Sequence, residues 1–134
     1  MKTKSFTPEI KSVHQIQEFI KENLSISGDN EKWLFRIDLV IEEIVVNIIN
    51  HGCKGIKNGI INIMIDNSND NIILEISDNG VAFNPLEKEE PDITSDLNER
   101  KPGGLGIFLV KQIAKKIEYT RKNNKNTIRL FMDL

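Results

Sequence analysis

The stretch Ile41-Glu42-Glu43-Ile44-Val45-Val46-Asn47-Ile48-Ile49-Asn50-His51 decides how this chain is read. With Trp33, Ile37 and Val40 before it, its apolar residues recur at helical spacing, which predicts a helix from about residue 31 to residue 50. Within that helix Glu43 and Asn47 are four residues apart, so they stack on one face. Two polar groups at the edge of a buried stripe need a chemical reason. A carboxylate takes a proton from a hydroxyl or a water. An amide oxygen is a hard ligand suited to Mg²⁺. Together they make half of a nucleoside triphosphate site, and the other half must lie downstream. Glu42 points away around the helix and reads as solvated. His51, one turn beyond Asn47, reads as a C-terminal histidine favoured by the helix dipole.

Working outward, Thr3 to Phe6 reads as a short strand, and Pro8 as the start of a helix capped by Thr7. Ile10, Val13, Ile16, Ile20 and Leu24 give that helix its apolar stripe, and residues 27–30 read as a loop. After Gly52 and Gly55 the period changes to two. Ile61, Ile63 and Ile65 alternate with polar or flexible residues, a polar turn spans 67–71, and a second strand covers 72–77, so the pair reads as a hairpin. Residues 78–101 form a long polar connection containing Pro85 and Pro91, with Pro102 just after. Connections of that length are usually functional. Gly103-Gly104-Leu105-Gly106 opens a third helix whose apolar face is Ile107, Val110, Ile113 and Ala114. Two strands near 116–122 and 126–133 close the chain, the last with Ile128, Leu130 and Met132 opposing Thr127, Arg129 and Phe131. This order is not a regular βαβα alternation. It predicts an α+β two-layer sandwich, with helices on one face of a mixed, mostly antiparallel sheet.

Composition narrows the function. At 134 residues the chain is expected to be one domain, 1–134, able to bury a real core. A formal net charge of -2 gives no electrostatic case for nucleic-acid binding. The single cysteine excludes an intrachain disulfide, and with two unlinked histidines it makes no zinc site. No apolar run approaches the roughly 20 residues of a membrane span. The first residues lack the apolar core of a signal peptide, so a cytoplasmic location is expected.

Asp78-Asn79-Gly80-Val81-Ala82-Phe83 follows the second strand of the hairpin. Asn-Gly is a turn signal, but no strand pairs back at once. A carboxylate at the end of a buried strand also accepts a hydrogen bond from an exocyclic amine such as that of adenine, and Gly80 lets a flat ring lie against bare backbone. The glycines at 103, 104 and 106 read either as a flexible helix start or as backbone N–H groups offered to phosphate at a helix N-terminus. Arg100 and Lys101, just before them, are loop charges within reach of a terminal phosphate. Neither a Rossmann nor a P-loop fingerprint is present, and no G-x-S-x-G elbow supports serine hydrolase chemistry.

The motifs fall in a specific order. A helical Glu-x-x-x-Asn is followed by strand-Asp-x-Gly-x-x-Phe, a long loop and Gly-Gly-Leu-Gly-helix. This resembles the GHKL ATPase and kinase superfamily with its Bergerat ATP-binding fold. The segments 47–51, 103–112 and Ile117-Glu118-Tyr119 resemble most the anti-sigma factor serine/threonine kinases of the RsbW type. The resemblance spans nearly the whole chain. It implies that Asn47 holds Mg²⁺ on the phosphates of ATP and that Glu43 is the general base. It implies that Asp78 binds the adenine amine with Gly80 beneath the ring, and that Gly104, Leu105 and Gly106 form the phosphate turn. Residues 84–102 would be the ATP lid, and Thr127 would support adenine through water. The implied activity is ATP-dependent phosphorylation of a partner, leaving ADP. The implied partners are a STAS-type anti-sigma factor antagonist, a sigma factor, or both, with homodimerisation. No phosphoacceptor helix pair is seen, so a complete sensor histidine kinase is not expected, and the lid is too short for gyrase-like members. The alternative is a module that binds ATP or ADP and sequesters a partner with little catalysis. Glu43 favours the kinase, because a pure binder needs no base.

Overall fold

The computed structural model describes residues 1–24, 31–68, 71–85 and 105–133. In chain order the elements are β1 (Lys2–Phe6), α1 (Ile10–Glu22), α2 (Glu31–Asn47), a π-helical turn (Ile48–Gly52), β2 (Ile61–Ser68), β3 (Asn71–Asp78), α3 (Leu105–Ile113), β4 (Lys116–Lys122) and β5 (Lys125–Asp133). The strands form one sheet in the order β1-β2-β3-β5-β4. Every pairing in it is antiparallel, so the expected two-layer α+β architecture is present without a parallel pair.

Period-two patterning builds the sheet's inner face. Ile61, Ile63 and Ile65 of β2, Ile72, Leu74 and Ile76 of β3, and Ile128, Leu130 and Met132 of β5 are all buried. Their alternate neighbours are not, as the pleat requires. Against this face lies α2, which buries Ile37, Val40, Ile41, Ile44 and Val45. It packs beside α1 on one side and α3 on the other. Ile16 and Ile20 of α1 and Val110 of α3 join the same core. Lys21 and Gln17 tie α1 to α2: Lys21 Nζ lies 3.1 Å from Asp38 Oδ2, and Gln17 Nε2 donates to the Asp38 carbonyl at 2.9 Å.

Two local features depart from the sequence expectation. The first helix begins at Ile10, with Glu9 at its cap and no side-chain cap bond. Thr7 does not cap it; its carbonyl instead accepts from the Glu9 N–H at 2.8 Å in a tight turn around Pro8. The second helix stays α-helical only to Asn47 and then widens, with the Cys53 N–H reaching back five residues to the Ile48 carbonyl at 2.7 Å. Such π turns concentrate at functional sites. The β4–β5 connection is a two-residue hairpin with Asn123 and Asn124 at φ 53° and 61°. Positive φ at both central positions is the type I′ geometry that matches strand twist, and asparagine tolerates it. That turn fixes the β4–β5 register, and with it the position of Asn126 beside Asp78.

Several expectations lie outside the described residues. They are the loop at 27–30, the middle of the turn at 67–71, most of the segment 84–102 with Arg100 and Lys101, and the glycines at 103 and 104. No helix among the described residues is long and apolar enough to cross a membrane.

The core account makes a contrast on one helix. Ile41 is fully buried, whereas Phe35 is 63% exposed. Ile41→Ala should cost about 2–5 kcal/mol. Phe35→Ala should stay within about 0.5 kcal/mol. Urea unfolding of both variants measures the difference.

Candidate functional site

The inward run of β3 ends on a carboxylate. Asp78 occupies the next buried register after Ile72, Leu74 and Ile76, between Ile61 of β2 and Asn126 of β5, and is only 2% exposed. A buried carboxylate is costly unless donors surround it. Here Oδ1 accepts from the Gly80 N–H at 2.8 Å, from Asn126 Nδ2 at 3.1 Å and weakly from Cys53 Sγ at 3.8 Å. Oδ2 takes no donor among the described residues.

Burial pushes the Asp78 carboxyl above its ordinary range, opposed by the bonds from Asn126, Gly80 and Cys53 and by the charge of Arg121. The Cys53 thiol is pushed up to about 11, by burial first and then by the charge and hydrogen bond of Asp78. It therefore stays protonated near neutrality and serves as a donor, not a nucleophile.

The segment after Asp78 is laid over the end of the second helix by directed bonds. The Val81 N–H donates to the Gly52 carbonyl at 2.8 Å, at the end of the π turn. Arg121 Nη1 donates to the Gly80 carbonyl at 2.7 Å. Asn79 ties the other side, accepting from the Ile60 N–H at 2.8 Å and donating to the Asn58 carbonyl at 3.0 Å. The Phe83 ring lies 5.3 Å from that of His51. Gly80 is required by this close approach. A Cβ there would collide with the Gly52 carbonyl group. Crowding by backbone therefore demands the glycine whether or not a ring lies over it.

Asn47 arrives at the same place from the helix. It is 4% exposed, and Nδ2 points at the Pro85 carbonyl from 3.5 Å, a weak contact. Its Oδ1 takes no donor among the described residues, which is what a hard-cation ligand requires. Among the described residues no three His, Cys, Asp or Glu side chains converge as a metal cage. Among the described residues a magnesium ion here would find the Asn47 amide oxygen, and phosphate and water commonly supply much of its shell in nucleotide sites. Glu43 is half-buried one turn earlier on the same helix face. Leu105 and Gly106 lie in the first turn of α3.

Thr127 is not beside Asp78. Strand alternation puts it on the opposite face of β5, level with Ser77 and Thr120. The residue that reaches the carboxylate is Asn126, 1% exposed. Its Nδ2 donates to Asp78 Oδ1 and, at 2.7 Å, to the Val81 carbonyl. Its Oδ1 accepts from Tyr119 Oη at 2.6 Å and from the Phe83 N–H at 3.2 Å. The signal for it was in the sequence. Asn126 precedes Ile128, Leu130 and Met132 in the inward series, just as Asp78 follows Ile72, Leu74 and Ile76.

Two outcomes follow from this geometry. Gly80→Ala should lower stability by about 1–3 kcal/mol, as overpacking does, measured by urea unfolding. Cys53, with its pKa near 11 against an ordinary 9.0, should react with iodoacetamide roughly a hundredfold more slowly in the folded protein than in urea at pH 8. Mass spectrometry of timed samples reads the rate; equal rates would contradict the buried, protonated thiol.

Comparison with known proteins places the chain in a family. The chain is 26% identical over 96 residues to the serine/threonine-protein kinase BtrW of Bordetella bronchiseptica, covering 72% of this chain and 68% of that one. It is 26% identical over 81 residues to the serine-protein kinase RsbW of Listeria monocytogenes, covering 58% and 52%. It thus spans about half the length of the latter. Among solved structures, the histidine kinase domain of a blue-light-activated kinase from Erythrobacter litoralis superposes with a TM-score of 0.62 at 14% identity, over 93% of this chain and 60% of that one. The catalytic domain of the histidine kinase ThkA superposes with a TM-score of 0.54 at 16% identity, over 99% and 96%. Both show a shared fold. Residues 6–132 match the family model described as the histidine kinase-like ATPase domain, and the chain belongs to that family, a branch of the GHKL superfamily with RsbW-type kinases among its relatives.

Proposed function

We propose that this protein is an ATP-dependent protein serine/threonine kinase of the anti-sigma factor type. In this reading it phosphorylates a STAS-type antagonist and thereby controls capture of a sigma factor. The observation that carries the nucleotide half of this reading is the Asp78 carboxylate, buried with one oxygen saturated and the other without a donor among the described residues. A base bearing an exocyclic amine supplies the missing donor, and the histidine kinase-like ATPase family supports adenine as that base.

The remaining roles follow from position. Glu43, half-buried on the face that carries Asn47, takes the proton of the acceptor hydroxyl. Asn47 offers its amide oxygen to Mg²⁺, which when bound neutralises phosphate charge. The first turn of α3, with Leu105 and Gly106, presents backbone N–H groups to phosphate oxygens. Gly104, Arg100 and Lys101 would extend that cradle. The names of BtrW and RsbW support the kinase assignment over a module that only binds and sequesters, and Glu43 supports it chemically. Dimerisation and the identity of the partner belong to the same proposal.

Glu43→Gln separates the two readings. It should leave Mg-ADP affinity within about threefold while slowing transfer to a STAS-domain serine by about 10² or more. The intact mass of the acceptor reports transfer, and wild-type rates in the variant would remove the base role.

Acidity gives an independent check. With Oδ1 occupied by donors, a proton on Asp78 goes to Oδ2 and blocks the base. Mg-ADP affinity should therefore fall as pH drops, beginning above the roughly 3.9 of an ordinary aspartate. The sign for folding is opposite. A carboxyl whose folded pKa is raised favours the folded state when protonated and opposes it when ionised. Asp78→Asn should thus stabilise the nucleotide-free protein near neutrality while weakening ADP. Paired melting and binding measurements test both signs.

A further inference from the structure

We infer that the ridge of α2 running from Phe35 to Glu43 docks the phosphoacceptor protein, with Phe35 as the anchor and Lys32 and Arg36 as a cationic rim. The inference rests on the kinase reading given above and adds where the acceptor binds and what chemistry it presents.

Residues four apart form a continuous ridge along an α-helix. Phe35, Leu39, Glu43 and Asn47 make one such ridge, and α2 is α-helical across all four. Burial is graded along it. Asn47 is 4% exposed, Glu43 and Leu39 are half-buried, and Phe35 is 63% exposed. The buried end carries the candidate cation ligand, and the next residue is the candidate base. The open end carries two apolar side chains that the core does not take, since neither Phe35 nor Leu39 is among the residues packed on it. A lone exposed phenyl ring calls for no explanation. This one shares its ridge with the groups assigned to the chemistry.

Transfer to a protein sets a geometric demand. The acceptor hydroxyl must come within hydrogen-bond reach of Glu43. It cannot approach through the core side of the helix, which Ile37, Val40, Ile41 and Ile44 close. In the kinase reading the nucleotide takes the Asn47 end of the ridge, so the acceptor's other contacts fall toward Phe35. At 1.5 Å of rise per residue, Leu39 stands about 6 Å and Phe35 about 12 Å along the helix from Glu43.

Charge says what kind of protein fits. Lys32 lies three residues before Phe35 and Arg36 three before Leu39, so both line the ridge, and both are exposed. Neither enters an ion pair among the described residues. Glu31 is acidic but sits in the first turn, where the helix dipole favours it. The occupant is therefore a protein that presents an apolar side chain flanked by carboxylates, about 12 Å from its phosphoacceptor hydroxyl. An aromatic anchor inside a polar rim is the common anatomy of a protein contact.

The test is steady-state phosphoryl transfer from Mg-ATP to a purified STAS-domain protein, by the full chain and by its Phe35→Ala and Arg36→Glu variants. Phe35→Ala should raise the KM for the acceptor about tenfold or more, with kcat within about threefold and Mg-ADP affinity unchanged. Arg36→Glu should raise the same KM, and added salt should raise it more for wild type than for this variant. An unchanged acceptor KM in Phe35→Ala overturns the inference while leaving the kinase reading intact. So does a fall in kcat at unchanged KM, which a docking residue does not produce. An unchanged KM in Arg36→Glu overturns the acidic character assigned to the partner. If Phe35→Ala alters the sedimentation of the protein alone, the ridge belongs to a second copy of the chain, and the inference is overturned. No transfer by wild type removes the kinase reading, and the inference with it.

Discussion

A single carboxylate held out of water organises this fold's working end. Asp78 ends the buried series of β3, and its Oδ1 gathers donors from the following loop, from β5 and from the residue after the π turn. Each donor fixes a different part of the chain. The Gly80 N–H folds the loop back on itself, and Asn126 joins that loop to β5. Cys53 brings in the end of the second helix, whose Gly52 carbonyl receives the Val81 N–H. The cost of burying the charge is offset only if all of these stay in place, so the need to satisfy one group shapes several elements.

The widened turn at 48–52 belongs to the same arrangement. An α-helix continued past Asn47 would direct each carbonyl to a donor four residues on. The π turn instead reaches back five residues through Cys53 and leaves the Gly52 carbonyl for the Asp78 loop. Asn47 sits at the junction, the last α-helical residue, with its amide under Pro85. The Asp78 carboxylate and the Asn47 amide are thereby linked through a few backbone bonds. The Phe83 ring against His51 covers the same junction.

Much of this was legible in the sequence because it rests on periodicity. The switch from helical spacing to alternation after Gly59, the isoleucine-rich inner faces of β2 and β3, and the shared face of Glu43 and Asn47 all follow from residue spacing. The Asp78-x-Gly80 motif was legible too, although its glycine turns out to be demanded by the Gly52 carbonyl. The π turn carries no periodic signature, since a widened turn uses the same apolar residues as a regular one. The resemblance implies a supporting part for Thr127, but strand alternation puts that residue on the face of β5 opposite Asp78. The alternation of β5 gives the inward position to Asn126, which the series back from Met132 reaches directly. Thr7 does not cap the first helix because Pro8 turns the chain before the helix begins.

The central claim is that the buried carboxylate and the helix amide together form an adenine nucleotide site. Calorimetric titration of the protein with Mg-ADP, with Mg-GDP as control and repeated on Asn47→Ala, addresses it most directly. The account predicts saturable binding of Mg-ADP, at least about tenfold weaker binding of Mg-GDP, and clear weakening by Asn47→Ala when magnesium is present. Equal affinity for the two nucleotides, or no binding of either, would contradict it.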